Sequence, residues 1–148
     1  MRRIREAICY FSDCAWRRHP DDRAIGAYRQ VLMGAYGAAG HHERAVMAAA
    51  VYFRYAGDRA LPEEDGIASL LDDESLDFAR RMGLAARLAF GISGSLRGIL
   101  PVVALQLTKD AVILQLPLNR KALAAEPVNK RLEALAEAFG KKPQIAVE

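Results

Sequence analysis

Residues Glu43–Tyr55, Glu-Arg-Ala-Val-Met-Ala-Ala-Ala-Val-Tyr-Phe-Arg-Tyr, decide the fold. Between Ala45 and Phe53 the only polar side-chain group is the hydroxyl of Tyr52. A surface helix shows one apolar stripe, whereas a helix apolar all round is enclosed by neighbours. The alanines let those neighbours approach closely. The run is about half as long as a membrane span requires, and arginines close both ends. It therefore reads as the central helix of a soluble helical domain.

Working outward, helical spacing recurs on both sides. Ile4, Ala7, Ile8, Phe11 and Ala15 predict a first helix over about Arg2–Trp16, with Trp16 as a core anchor. His19-Pro20-Asp21-Asp22 is a start signal, with proline at the first helical position and two acids at the positive end of the dipole. The helix it opens turns Ala24, Ile25, Tyr28, Val31, Leu32 and Ala35 inward. It dissolves in the glycine-rich stretch Gly34–Gly40. His41 or His42 then opens the central helix, which Gly57 stops.

Leu61-Pro62-Glu63-Glu64 predicts a short helix holding Ile67, Leu70 and Leu71. Asp72 or Asp73 caps the next, over about Glu74–Ile92, with Leu76, Ala79, Met82, Gly83, Ala86, Ala89 and Phe90 inward. Gly83 in mid-helix costs roughly 1 kcal/mol against alanine, which points to a close helix contact there. After Ser93-Gly94-Ser95 the texture changes. Val103, Leu105 and Leu107, the turn Thr108-Lys109-Asp110, and Val112, Leu114 and Leu116 form a β-hairpin. Asn119 caps a short helix ending before Pro127. A further helix runs through Val128, Leu132, Leu135, Ala136 and Phe139, and Gln144–Val147 is a last strand. The fold class is mainly α with a small α+β tail, the helical domain over residues 1–95 and the β-hairpin–helix–strand module over 96–148.

The totals permit this. In 148 residues, 52% are apolar and 26% charged, an ordinary globular balance with a net charge of +3. The mild basicity allows an anionic partner without demanding one. Cys9 and Cys14 point about 140° apart on a helix and cannot bridge locally, which fits a reducing cytoplasm. The amino-terminal residues lack the apolar region and cleavage site of a signal peptide.

Familiar catalytic signatures are missing: the Walker and dinucleotide loops, the Gly-x-Ser-x-Gly elbow, Cys-x-x-Cys and His-Glu-x-x-His. A metal centre from His19, His41 and His42 with Asp13 or Asp22 is one reading of the histidines. Adjacent His41 and His42 diverge by about 100° on a helix, which favours helix starts instead. The pairs Asp21/Asp22, Glu63/Glu64 and Asp72/Asp73 sit at predicted helix N-termini, where the dipole accounts for them. The arginines carry more. Arg17, Arg18 and Arg23 bracket the first interhelix turn, while Arg54 and Arg59 surround the end of the central helix. If those ends meet, five guanidinium groups crowd one edge and call for an anion. If they splay, each is solvated or paired with a nearby acid.

Tyr10-Phe11-Ser12-Asp13-Cys14-Ala15-Trp16-Arg17-Arg18-His19-Pro20-Asp21-Asp22-Arg23 resembles a run typical of the C-terminal half of exopolyphosphatase / guanosine pentaphosphate phosphohydrolase proteins. Tyr52-Phe53-Arg54-Tyr55-Ala56-Gly57 is similar to the end of a helix in that family. So are Ala85–Phe90, Ile99-Leu100-Pro101 and Leu114-Gln115-Leu116-Pro117 in the tail. The resemblance implies an HD-like helical domain followed by a small α+β domain. It also implies a longer parent hydrolase whose N-terminal actin-like ATPase lobes bind phosphate and carry the catalytic glutamate and a magnesium ion. In related HD phosphohydrolases a His-Asp pair holds metal. Here Ser12-Asp13 takes its place, and serine is a poor ligand at neutral pH. Phe53 stands where many relatives have histidine.

The resemblance therefore implies a non-catalytic C-terminal accessory region of an exopolyphosphatase-like hydrolase, with no catalytic residue, metal ligand or cofactor of its own. The expected partners are polyphosphate or another polyanion, the parent's lobes, and a second copy in a homodimer, with no membrane. The expected polyanion contacts are Arg17, His19, Arg23 and Arg54. The alternatives are a residual HD-type metal-dependent phosphohydrolase, and a pure interaction module whose hairpin Val102–Leu116 meets a partner's sheet.

Overall fold

The computed structural model describes residues 2–62 and 66–148. The chain forms two compact units, Met1–Ala86 and Arg87–Glu148. In the first lie the helices α1 (Arg2–Phe11), α2 (Arg23–Leu32) and α3 (His41–Ala56), and α4 (Asp73–Ser93) as far as Ala86. The division falls within α4, ahead of the change of texture after Ser93.

Every residue of α3 from Ala45 to Phe53 is buried, as a helix without a polar face must be. α3 packs chiefly along α2 and also along α1. Ile8 from α1, Ala27, Tyr28 and Val31 from α2, and Ala79 from α4 complete this core. Glu43 accepts the Gly40 N–H (3.1 Å) and the Arg3 guanidinium (2.6 Å), which fixes the start of α3. Gly57, at φ 72°, ends it. A Cβ at Gly83 would lie 2.6 Å from Phe53 Cβ and collide with the Ala50 carbonyl, so α4 crosses α3 at the close contact its glycine predicts.

Several expectations need correction. The first helix stops at Phe11 rather than Trp16. The Ser12 hydroxyl donates to the Ile8 carbonyl (2.6 Å), and the backbone tightens into bonds three residues back: Cys14 to Phe11, Trp16 to Asp13 and Arg18 to Ala15. Helical period is lost there, so Ala15 is buried while Trp16 is 55% exposed and no core anchor. α2 ends at Leu32, leaving Ala35 exposed. Of the short helix from Leu61, Glu63 and Glu64 lie outside the described residues. A single 3-10 turn spans Ile67–Leu70, with Leu70 exposed. In α4 the buried residues include Leu84, Leu88 and Ile92 beside Ala79 and Gly83, a second stripe that one helical face did not predict.

The second unit holds β1 (Ala104–Leu107), β2 (Ala111–Leu116), α5 (Glu126–Ala138) and β3 (Lys142–Val147). The hairpin forms as its alternation predicts, with Leu107 opposite Val112 and Leu105 opposite Leu114. β3 runs parallel to β2, and α5 is the crossover that parallel pairing requires. The sheet order is β1-β2-β3, and α5 packs on β2 and β3. Val112, Leu114, Leu116, Val128, Leu132, Leu135 and Ala136 are buried there. The 3-10 helix Leu118–Leu123 takes Pro117 as its N-cap with no side-chain cap bond, so Asn119 does not cap it.

Candidate functional site

The segment from Ser12 to Arg23 is held by a succession of backbone and side-chain bonds, and it carries most of the predicted anion contacts. His19 is the cap of the 3-10 helix Pro20–Asp22: its Nδ1 accepts the Asp21 N–H at 3.4 Å. Proline at the first position supplies the turn without a donor to satisfy. Arg23 Nε then donates to the Arg18 carbonyl (3.0 Å), closing the segment on itself. Arg17, Arg18 and His19 are exposed and Arg23 half-buried. The Arg17 guanidinium lies 5.0 Å from the centre of the Trp16 ring, a cation–π contact that occupies the exposed face of the indole.

This segment and the end of α3 do meet. The Tyr55 hydroxyl accepts the Ala15 N–H at 3.1 Å, and Arg54 lies 3.9 Å from the Asp13 carboxylate. Arg54 also covers the Tyr55 ring at 4.2 Å, and its side chain is only 15% exposed. Cys14 sits among these groups. Burial pushes its thiol above the ordinary range, while the charges of Arg18 and Arg54 pull the other way. Burial likewise raises Tyr55, against the opposing bond from Ala15. Asp13 is the acid that faces Arg54 between the segment and the helix. Arg59 is exposed beyond Gly57, and its neighbour Asp58 holds Arg80 through two bonds of 2.6 and 2.5 Å.

A groove of about 530 Å³ continues along the outer side of α2, lined by Arg18, Asp22, Ile25, Arg29, Gln30 and Met33 over Gly26. The Arg18 side chain crosses the helix at Gly26: a Cβ there would lie 2.7 Å from Arg18 Cδ. Only glycine leaves that path open. Arg29 and Gly26 are not among the predicted site residues. Their signal is weak in sequence, one glycine three residues before one arginine on the same helix face.

The histidines do not converge into the metal centre that is one reading of their sequence. His19 caps a turn, His42 Nε2 lies 3.1 Å from the Ser75 hydroxyl, and His41 is exposed at the start of α3. Among the described residues no three His, Cys, Asp or Glu side chains are grouped to hold an ion. In the pair Ser12-Asp13 the serine hydroxyl is buried against a carbonyl and the aspartate carboxylate faces a guanidinium. Phe53 is buried, its ring edge-on to Tyr52. Among the described residues no helix is long and apolar enough to cross a membrane.

No curated protein matches the chain in sequence. A family model described as "Exopolyphosphatase, C-terminal" matches residues 1–146, nearly the whole of the chain. Its matched span includes both compact units and the arginine-bearing segment, and the chain belongs to the exopolyphosphatase C-terminal family.

Proposed function

We propose that this chain is the non-catalytic C-terminal accessory region of an exopolyphosphatase-like phosphoanhydride hydrolase. Its tasks are to help hold polyphosphate and to contribute to a dimer. The observation that carries this reading is the junction of the 12–23 segment with the end of α3, where Tyr55 accepts the Ala15 N–H and Arg54 faces Asp13, with Arg17, His19 and Arg23 on the adjoining turns. Arginine cations on one segment favour a polyanion, because its closely spaced charges relieve their mutual repulsion. Arg17, Arg23 and Arg18, whose side chain lies in the α2 groove, are the direct contacts. Arg54, enclosed between Asp13 and Tyr55, orients the segment and adds its field. His19 adds charge only when protonated.

Catalysis is assigned to the parent's N-terminal lobes with their magnesium ion, and no residue of this chain is given a catalytic or metal-binding role. The protein works in the cytoplasm. The residual phosphohydrolase reading finds no support in a Ser12 hydroxyl buried against a carbonyl.

Titration with long-chain polyphosphate at low salt tests the proposal. Arg17→Ala and Arg23→Ala should each weaken binding about three- to tenfold, the loss of one charge-assisted contact. No detectable affinity in the unaltered protein would remove the substrate-holding role.

A further inference from the structure

The two edges of the sheet are built differently. β3 begins Lys142-Pro143, and a lysine and a proline are what natural sheets place on an edge that must not pair. β1 reads Ala104-Leu105-Gln106-Leu107, without charge or proline. Leu105 and Leu107 are 48% and 54% exposed.

Hydrogen bonding fixes which groups this edge offers. The Thr108 N–H donates to the Ala111 carbonyl (2.9 Å), so Thr108 and Ala111 are a hydrogen-bonded pair. Bonded pairs alternate along an antiparallel ladder, so Gln106 and Ala104 turn inward to β2 while Leu105 and Leu107 turn their N–H and C=O to the open edge. The far side of β2 agrees. Lys142 bonds to the Asp110 carbonyl and Glu148 to that of Leu116, so the even-numbered residues of β2 face β3. The Leu105 and Leu107 side chains share the face of buried Leu114 and Val112, which they oppose.

We propose that β1 is the contact strand of a symmetric dimer, paired antiparallel with β1 of a second copy about a two-fold axis through Gln106. The inference rests on the proposed dimer and gives it a register. A two-fold contact must be self-complementary, and Leu105-Gln106-Leu107 reads alike in both directions. In that register Leu105 of each copy faces Leu107 of the other, and the outward groups form four backbone bonds. The uncharged strand sets no like charges opposite one another. The result is a continuous six-stranded sheet with its apolar faces on the same side. Pairing through β3 instead meets Lys142 and the missing donor of Pro143. So short a strand buries less than the roughly 1,200–2,000 Å² of a stable interface, which makes this a weak, transient contact.

Light scattering on the full chain over about 1 µM to 1 mM, concentrations at which weak association shows, tests this. The unaltered protein should approach twice its protomer mass. Leu105→Lys should raise the dissociation constant at least tenfold with unchanged circular dichroism. Gln106→Cys gives a positive readout. Position 106 meets its copy in a non-bonded pair, with Cα atoms about 4.5 Å apart, so mild oxidation should join the two substituted positions by a disulfide. Peptide mapping separates that link from any through Cys9 or Cys14. Dimers that survive Leu105→Lys and do not cross-link at 106 would overturn the register and leave the dimer itself standing. A monomer at every concentration would overturn both.

Discussion

Two helical glycines show how a single absent methyl group acts in opposite directions. At Gly83 the obstacles are backbone and a neighbouring Cβ: the Ala50 carbonyl, the Arg54 nitrogen and Phe53 Cβ. These cannot move without parting α3 from α4. Gly83→Ala should therefore destabilise the fold by about 1–3 kcal/mol despite its helix-propensity gain, seen as a fall in denaturant midpoint. At Gly26 the obstacle is the flexible Arg18 side chain. Gly26→Ala should hold stability or raise it by up to about 1 kcal/mol. It should also displace Arg18 from the groove and weaken polyphosphate binding with no change in net charge. Equal affinity in that variant would exclude the α2 groove from the binding surface.

At the scale of elements, what neighbours impose is harder to read than periodicity. α3 is legible because nine successive buried residues admit one interpretation. The hairpin is legible because alternation and a polar turn coincide. Apolar spacing makes α1 too long because Ser12 diverts its hydroxyl to Ile8, a local bond that such spacing does not show. The same error places Trp16 in the core. The second stripe of α4 escapes because one helical face assumes one set of neighbours from end to end. Among the site residues, Arg17, Arg23 and Arg54 stand out by charge. The partners that position Arg54, namely Asp13 and Tyr55, are fixed by a meeting of ends that sequence offers only as a condition.

The turn after α3 carries a pH signature. Hydrogen bonds from Arg80 hold the Asp58 carboxyl below the ordinary aspartate range. The unfolded chain thus takes up that proton first as pH falls. The pair's stabilisation is complete above about pH 5 and is lost as pH drops through about 4 toward the folded value. For a half-exposed pair it amounts to about 1 kcal/mol or less. The stability difference between the unaltered protein and Asp58→Asn should be flat near neutrality and shrink below about pH 4. A difference independent of pH would deny the pair any role.

For the whole molecule, the family match covers both units, and the second unit contributes an open sheet edge while the first contributes gathered cations. Neither of the proposed tasks requires chemistry from these residues. Everything turns on whether the cations serve a polyanion. The most direct measurement is the affinity of the unaltered chain for long-chain polyphosphate as sodium chloride rises from about 50 to 200 mM, an interval over which contacts between arginine and phosphate weaken steeply. Tight binding is expected at the low end, falling log-linearly with salt and with a shallower slope in Arg17→Ala and Arg23→Ala. Absent binding at low salt, or an affinity indifferent to salt and to both substitutions, would contradict a polyanion-holding role.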